Sequence, residues 1–199
     1  PEYYLNNCAM GILTRQPAAL ARTLMDDSSF DLIELGAGDA TKSSHLLQEL
    51  LKQKADFTYL PIDISKHVIA QLNATLPLSL PGLKIKGLNG EYFEMLKKAA
   101  GGDRRKVVLF LGSNIGNMPV FDAERFCSEM RRYLSPGDMV LIGFDLKKNP
   151  ETVLAAYNDK AGVTKKFNLN LLTRINRELN ADFNPDNFAH YATYDPETG

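Results

Sequence analysis

Short apolar runs alternate with amphipathic stretches along most of the chain. The first run, Phe30–Leu35, ends at two glycines, and apolar residues at helical spacing follow it, which predicts a strand, a tight turn and a helix. The same pattern predicts further strands at 57–65, 83–88, 107–111 and 139–144. Strands that alternate with helices at this spacing indicate an α/β fold with a doubly wound parallel sheet.

The stretches between these runs supply the helices and divide the chain into three parts. Residues 1–29 carry apolar positions at helical spacing, interrupted by Pro17, and are predicted to form a helical lead-in. Residues 30–149 are the predicted sheet core, in which a helix from Lys66 ends near Thr75 ahead of a loop at 77–82. Residues 150–199 are predicted to be mainly helical.

Polar residues and glycines collect where the predicted strands end. In sheets of this kind, ligands bind just beyond the carboxyl ends of the strands. The residues at this edge are 34–38 after the first strand, Asp63 in the second, Glu91 and Tyr92 after the third, 112–117 after the fourth and Asp145 after the fifth. We take this edge as the candidate binding site.

The turn after the first strand narrows the choice of ligand. Gly36 and Gly38 allow a sharp turn and a close approach of ligand to backbone. A dinucleotide fingerprint and a phosphate-binding loop would both need glycine where the chain has Thr41. Glu34, two residues before Gly36, suits a positively charged ligand such as S-adenosylmethionine. The alternative is a purely structural turn.

Two further strand ends carry residues suited to an adenosine. Asp63 can accept hydrogen bonds from both ribose hydroxyls, and its alternative role is to favour the dipole of the following helix. Glu91 and Tyr92 can bound the adenine, with the Tyr92 ring stacked on it. Their alternative is an ordinary helix start with a half-buried tyrosine.

The amide loop, residues 112–117, is the more unusual feature. It sets Asn114 and Asn117 beside Gly112 and Gly116 after a continuously apolar strand, where amide donors and acceptors can face the transferring group. A plain turn into the next helix is the alternative.

Three phenols are further candidates. Tyr157 and the pair Tyr3 and Tyr4 can bind a carboxylate, although isolated tyrosines of this kind are more often core-edge residues.

Composition excludes several classes of function. The chain has 199 residues, 23 basic and 24 acidic, and a net charge of −1, so it lacks the basic field of a nucleic-acid or membrane-surface protein. We expect neither partner, and a cytoplasmic location, because there is no long apolar stretch or signal peptide. The two cysteines and three histidines form no metal-ligand pattern. No nucleophile triad appears either, which agrees with direct methyl transfer.

Several segments together resemble the histidine-specific S-adenosylmethionine-dependent methyltransferases. They are residues 1–4, 32–38 with Lys42, 61–65, 110–117, 136–138, 156–168 and 176–183. The resemblance implies a Rossmann-like fold of the class I methyltransferase type. It also implies N-methylation of the α-amine of an amino acid, with L-histidine and its trimethylated betaine, as in ergothioneine biosynthesis, the favoured acceptor and product.

The resemblance also assigns residue roles. Gly36 and Lys42 are expected to line the methionine end of the cofactor, and Asp63 to hold the ribose. Glu91 and Tyr92 stand where the family usually has Asp-Phe at the adenine.

On the acceptor side, the resemblance assigns the groups that grip the amino acid. Asn117 and Tyr157, with Tyr4, are expected to hold its carboxylate and amine, which makes residues 150–199 the substrate-side segment.

The family pattern extends past both ends of this sequence. The chain is therefore expected to be incomplete at both ends, and the residues that select histidine to lie beyond Gly199. Two alternatives stay open. One is the same fold and cofactor with another small amine as acceptor, such as a tryptophan derivative, and the other is a cofactor-binding module that is not catalytically complete.

Overall fold

A computed structural model describes residues 4–26 and 28–197 of the chain. The described residues form two compact units. The sheet unit is Asn7–Asp145, and the helical unit combines residues 4–6 with 146–197. Within these ranges, none of the helices has the length and apolar character needed to cross a membrane.

The sheet unit is built on five parallel strands. They are β1 (Phe30–Leu35), β2 (Phe57–Asp63), β3 (Leu88–Asn89), β4 (Arg105–Phe110) and β5 (Met139–Ile142). Their order across the sheet is β3-β2-β1-β4-β5, with β1 in the centre. Phe30 lies opposite Phe57 on one side and Arg105 on the other. This order reverses direction at β1, and it confirms the predicted doubly wound, Rossmann-like sheet.

The helices cover both faces of the sheet. Those of this unit are α1 (Leu5–Arg15, which begins two residues before the unit), α2 (Pro17–Leu24), α3 (Ser43–Lys52), α4 (Lys66–Ser79), α5 (Tyr92–Ala99) and α6 (Val120–Arg131). Alternate residues of β1 point to opposite faces, so Leu32 packs with α2 and α3 while Ile33 packs with α5 and α6. Burial on both faces explains why β1, β2 and β4 are almost continuously apolar.

The predicted boundaries differ most from the structure in the third strand and in α4, and by one or two residues at the ends of β2, β4 and β5. The third strand, predicted at 83–88, is only Leu88–Asn89, with a single parallel bridge between Ile85 and Tyr59. Helix α4 continues through Pro77 to Ser79 instead of ending near Thr75. The helix tolerates Pro77 because this residue lies in its last turn, where Leu80 still donates its backbone N–H to the Leu76 carbonyl.

The helical unit contains two helices and a short turn. They are α7 (Pro150–Tyr157), α8 (Val163–Leu179) and a 3₁₀ turn at Pro185–Asn187. Asp159 accepts hydrogen bonds from the backbone N–H groups of Val163 and Thr164, so it caps the start of α8. Asn176 exchanges two hydrogen bonds with the backbone of Phe183, which fixes the chain after α8.

Candidate functional site

The glycine turn, residues 36–40, connects β1 to α3 at the carboxyl edge of the sheet. Gly36, Gly38 and Ala40 have φ angles of 71°, 54° and 54°, all in the left-handed region that favours glycine. Gly36 and Ala37 donate their backbone N–H groups to the Ile62 carbonyl at the end of β2. The turn is therefore tightly wound and attached to the neighbouring strand.

Asp63 ends β2 directly beside this turn. One carboxylate oxygen accepts the Gly38 backbone N–H at 3.2 Å, and the other accepts the Ser65 backbone N–H at 2.9 Å. Each oxygen of a carboxylate can accept two hydrogen bonds, so each retains one acceptor position. The structure thus brings Gly36, Gly38 and Asp63 together at one edge, with an acid half-buried between the two strand ends.

Tyr92 lies over the glycine turn. A Cβ built on Gly36 would come within 2.7 Å of the Tyr92 hydroxyl oxygen, which leaves no room for a side chain there. The Tyr92 ring packs edge-on against Phe110 and Phe126, and its partial burial, with Asp63 nearby, raises the pKa of the phenol. Tyr92 therefore lies against the glycine turn on the side of α5, near Asp63.

Glu91 has a structural role at the start of α5. Its carboxylate caps α5, accepting the backbone N–H of Phe93 at 2.9 Å and that of Glu94 at 3.4 Å. The side chain is exposed and fixes the start of the helix that carries Tyr92.

Lys42 connects the glycine turn to the amide loop. Its ammonium nitrogen lies 3.6 Å from the point that a Cβ on Gly112 would occupy. Gly112 and Ser113 have φ angles of 80° and 61°, so the loop leaves β4 through two left-handed residues. Asn117 ends the 3₁₀ turn Asn114–Asn117 and is exposed. The two features therefore meet at Lys42, whose positive charge suits a ligand carboxylate.

Glu34 is placed unlike the other candidates. Its side chain is only 4 % exposed, and its carboxylate accepts a hydrogen bond from the hydroxyl of Tyr59, which is fully buried. Burial raises the pKa of Glu34 to about 7, although hydrogen bonding by Tyr59 and Ser43 and the charge of Lys42 act in the opposite direction. The carboxyl therefore lies beneath the turn, in contact with protein groups.

The raised pKa of Glu34 predicts a pH-dependent stability. The folded protein holds the Glu34 proton more tightly than the unfolded chain, so this contribution is complete below the ordinary pKa of 4.5 and is lost as the pH rises through about 7. At about 1.4 kcal/mol per tenfold change in proton affinity, the loss is about 3 kcal/mol. We expect the difference in unfolding free energy between wild type and Glu34→Gln, measured by urea denaturation against pH, to follow this course. A difference that is constant with pH would contradict it.

The phenols Tyr4 and Tyr157 belong to the helical unit. Tyr4 stacks beneath the ammonium of Lys148, which lies 4.0 Å from the ring centre. Tyr157 ends α7 and is 43 % exposed. Tyr3, the other member of the predicted tyrosine pair, lies outside the described residues, as do Pro1 and Glu2.

A cavity of about 700 Å³ lies within the helical unit at Tyr157. Its walls are mainly apolar, and they are formed by Ala156, Tyr157, Val163, Thr164, Phe167, Asn168, His190, Ala192 and Thr193. His190 is held on both ring nitrogens, by Asn168 at 3.2 Å and by the Tyr157 carbonyl at 2.8 Å. The volume is in the range of small-molecule sites.

Sequence reasoning missed Tyr59 and Ser43. Both are buried, and both contact the Glu34 carboxyl. Of the two, Tyr59 carries a signal in the sequence. Its hydroxyl lies within an apolar strand, and a polar group has to find a hydrogen-bond partner when such a strand is buried.

Comparison with known proteins identifies the family. The sequence model described as histidine-specific methyltransferase, SAM-dependent, matches residues 1–199. The chain is 36% identical over 197 residues to the histidine N-alpha-methyltransferase of Mycolicibacterium smegmatis, covering 99% of this chain and 60% of the relative. The protein of the same name from Mycobacterium tuberculosis is 35% identical over 194 residues, covering 98% of this chain and 59% of the relative.

The match to a fungal relative covers a smaller share of that relative's length. Ergothioneine biosynthesis protein 1 of Neurospora crassa is 36% identical over 178 residues, covering 88% of this chain and 20% of the relative. The chain belongs to the histidine-specific, S-adenosylmethionine-dependent methyltransferase family. It spans about 60% of the length of the two mycobacterial relatives.

Proposed function

We propose that the edge of the sheet formed by the glycine turn and Asp63 binds S-adenosylmethionine. The observation that carries the proposal is the carboxylate of Asp63, which is tied to the Gly38 N–H while each of its oxygens keeps an acceptor position for a ribose hydroxyl. Lys42, near Gly112, provides a positive charge for the methionine carboxylate. Tyr92 bounds the proposed site on the side of α5, where the adenine would stack.

The acceptor in this proposal is the α-amine of an amino acid, with L-histidine favoured. The names of the mycobacterial relatives support histidine. Transfer needs a neutral amine nitrogen in line with the methyl carbon and the sulfur, so the enzyme works chiefly by alignment and exclusion of water. The family resemblance supports Asn117, Tyr157 and Tyr4 as contacts of the acceptor; Asn117 belongs to the sheet unit, and the two tyrosines belong to the helical unit.

The test is an assay of methyl transfer by the purified protein. With S-adenosylmethionine and L-histidine, we expect S-adenosylhomocysteine and methylated histidine, up to the trimethylated betaine, by mass spectrometry. Tryptophan and a simple primary amine serve as competing acceptors. Methylation of one of these in preference to histidine would overturn histidine as the acceptor. Binding of S-adenosylmethionine without transfer to any acceptor would indicate a cofactor-binding module that does not catalyse the transfer.

Asn117→Ala is predicted to damage acceptor binding more than cofactor binding. Loss of one amide hydrogen bond in a binding site costs about 1–3 kcal/mol, so we expect the KM for histidine to rise about tenfold or more. The dissociation constant of S-adenosylmethionine should change less than about threefold. Steady-state kinetics and calorimetry measure the two quantities.

Asn114→Ala is the matched control, because it removes the same amide at the other end of the 3₁₀ turn. It should leave the KM for histidine near the wild-type value. Equal losses of acceptor and cofactor affinity in Asn117→Ala would make Asn117 a scaffold of the loop.

A further inference from the structure

Glu34 has little surface from which to contact a ligand. It is 4 % exposed, and its carboxylate is engaged by the Tyr59 hydroxyl from β2. Tyr59 and Ser43 are each 0% exposed. The three groups form a buried polar cluster between β1, β2 and the start of α3. An acid in this position cannot offer its charge to a sulfonium without leaving these partners unsatisfied.

Ser43 links this cluster to the glycine turn. Its hydroxyl donates to the Ala40 carbonyl at 3.3 Å, and Ala40 is the left-handed residue that ends the turn. The single proton of the Ser43 hydroxyl goes to the Ala40 carbonyl in this structure, and the Glu34 carboxyl competes for it only when it is ionised. Tyr59 likewise gives its single proton to Glu34. A proton on the Glu34 carboxyl therefore leaves the hydrogen bond from Ser43 to Ala40 undisturbed.

The charged groups around Glu34 agree with a proton-bearing carboxyl near neutral pH. The ionisable groups that face it are Tyr59 from β2, Lys42 at the start of α3 and Asp39 in the turn. Lys42 favours the ionised form and Asp39 disfavours it, while burial favours the neutral form most strongly and raises the pKa to about 7.

We propose that Glu34 is a positioning residue whose protonated carboxyl, through Tyr59 and Ser43, holds the glycine turn in the shape that binds the cofactor. Glu34 itself does not touch the cofactor in this account. The inference rests on the proposed binding of S-adenosylmethionine at the turn. Glu34 thus supports the turn from beneath through hydrogen bonds, in place of a direct attraction to the sulfonium.

Glu34→Gln separates the two roles. Glutamine has the same shape, accepts from Tyr59 through its oxygen and donates to Ser43 through its nitrogen, so it reproduces the protonated acid. The affinity for S-adenosylmethionine is measured by calorimetric titration at about pH 6 and at about pH 8. Over this range the affinity of wild type should fall by up to about tenfold more than the affinity of Glu34→Gln. The titration of the ligand's own amine is common to both proteins and cancels in their ratio.

Tyr59→Phe breaks the cluster on its other side. It should weaken cofactor binding about tenfold while Glu34→Gln binds within about threefold of wild type at about pH 6. An affinity ratio that does not vary with pH would overturn the proposal. So would a loss of binding in Glu34→Gln as severe as that of Asp63→Ala, because the charge would then act on the cofactor directly.

A second readout does not depend on any ligand. Hydrogen exchange of the ligand-free protein should show residues 36–43 as protected in Glu34→Gln as in wild type, and less protected in Tyr59→Phe. Equal protection in all three proteins would overturn the positioning role. A wild type that fails to bind S-adenosylmethionine at any pH, with the expected exchange pattern, would instead refute the proposed function and leave the support of the turn intact.

Discussion

Replacing Asp63 by alanine is expected to weaken S-adenosylmethionine binding by at least about 100-fold, because two hydrogen bonds to a charged group, each worth about 1.5–3 kcal/mol, disappear together. The change also releases the Gly38 and Ser65 backbone N–H groups that the carboxylate now holds. Both effects act on the proposed binding site itself. Isothermal titration calorimetry of the folded variant measures the loss.

Asp56→Ala is the matched control for this experiment. Asp56 immediately precedes β2, at the strand end opposite Asp63, and its ion pair with Lys84 is solvent-exposed. Exposed pairs contribute little, so the affinity for S-adenosylmethionine should stay at the wild-type value. An affinity of Asp63→Ala equal to that of Asp56→Ala would show that the ribose does not bind at Asp63.

Gly36→Ala is expected to cost about 2 kcal/mol or more in unfolding free energy, and to reduce cofactor affinity in parallel. The φ angle of 71° is strained for alanine, and the added Cβ would meet the Tyr92 hydroxyl oxygen at 2.7 Å. The backbone cannot relax freely, since Gly36 is bonded to the Ile62 carbonyl. Urea denaturation gives the stability and calorimetry the affinity.

Gly38→Ala separates backbone strain from the close contact. Its φ angle is 54°, but no atom of the described residues lies within 4 Å of a Cβ built there, so it should lose only the cost of the left-handed conformation, about 1–2 kcal/mol. In the double variant Gly36→Ala/Tyr92→Phe the nearest atom is removed, and part of the loss should be recovered. Equal destabilisation by Gly36→Ala and Gly38→Ala would mean that Tyr92 does not close over the turn.

Local patterns were sufficient to predict most of the sheet. The runs at Phe30–Leu35 and Phe57–Asp63 are apolar because helices cover both faces, and this signal is readable from the sequence. The length of the third strand could not be predicted from the sequence, because it depends on how many residues of this edge strand pair with β2. Residues 83–89 pair with β2 at the bridge of Ile85, through hydrogen bonds of Lys84 and Lys86 with Tyr59, and at Leu88–Asn89.

The glycine turn of the candidate site could be predicted from the sequence, but the side chains that support this turn could not. Gly36 and Gly38 mark a left-handed turn by residue type alone. The partners of Glu34 were not predictable, since Tyr59 is 25 residues away and reaches it only through the register of β1 and β2. The closure of Tyr92 over Gly36 likewise arises from packing against Phe110 and Phe126, which no local motif encodes.

The most direct test of the central claim is a crystal structure of the protein with S-adenosylhomocysteine. The account predicts both ribose hydroxyls within hydrogen-bond distance of the Asp63 carboxylate, the homocysteine carboxylate near Lys42, and the Glu34 carboxyl still on Tyr59. A ligand bound away from the glycine turn, with Asp63 contacting only Gly38 and Ser65, would contradict it.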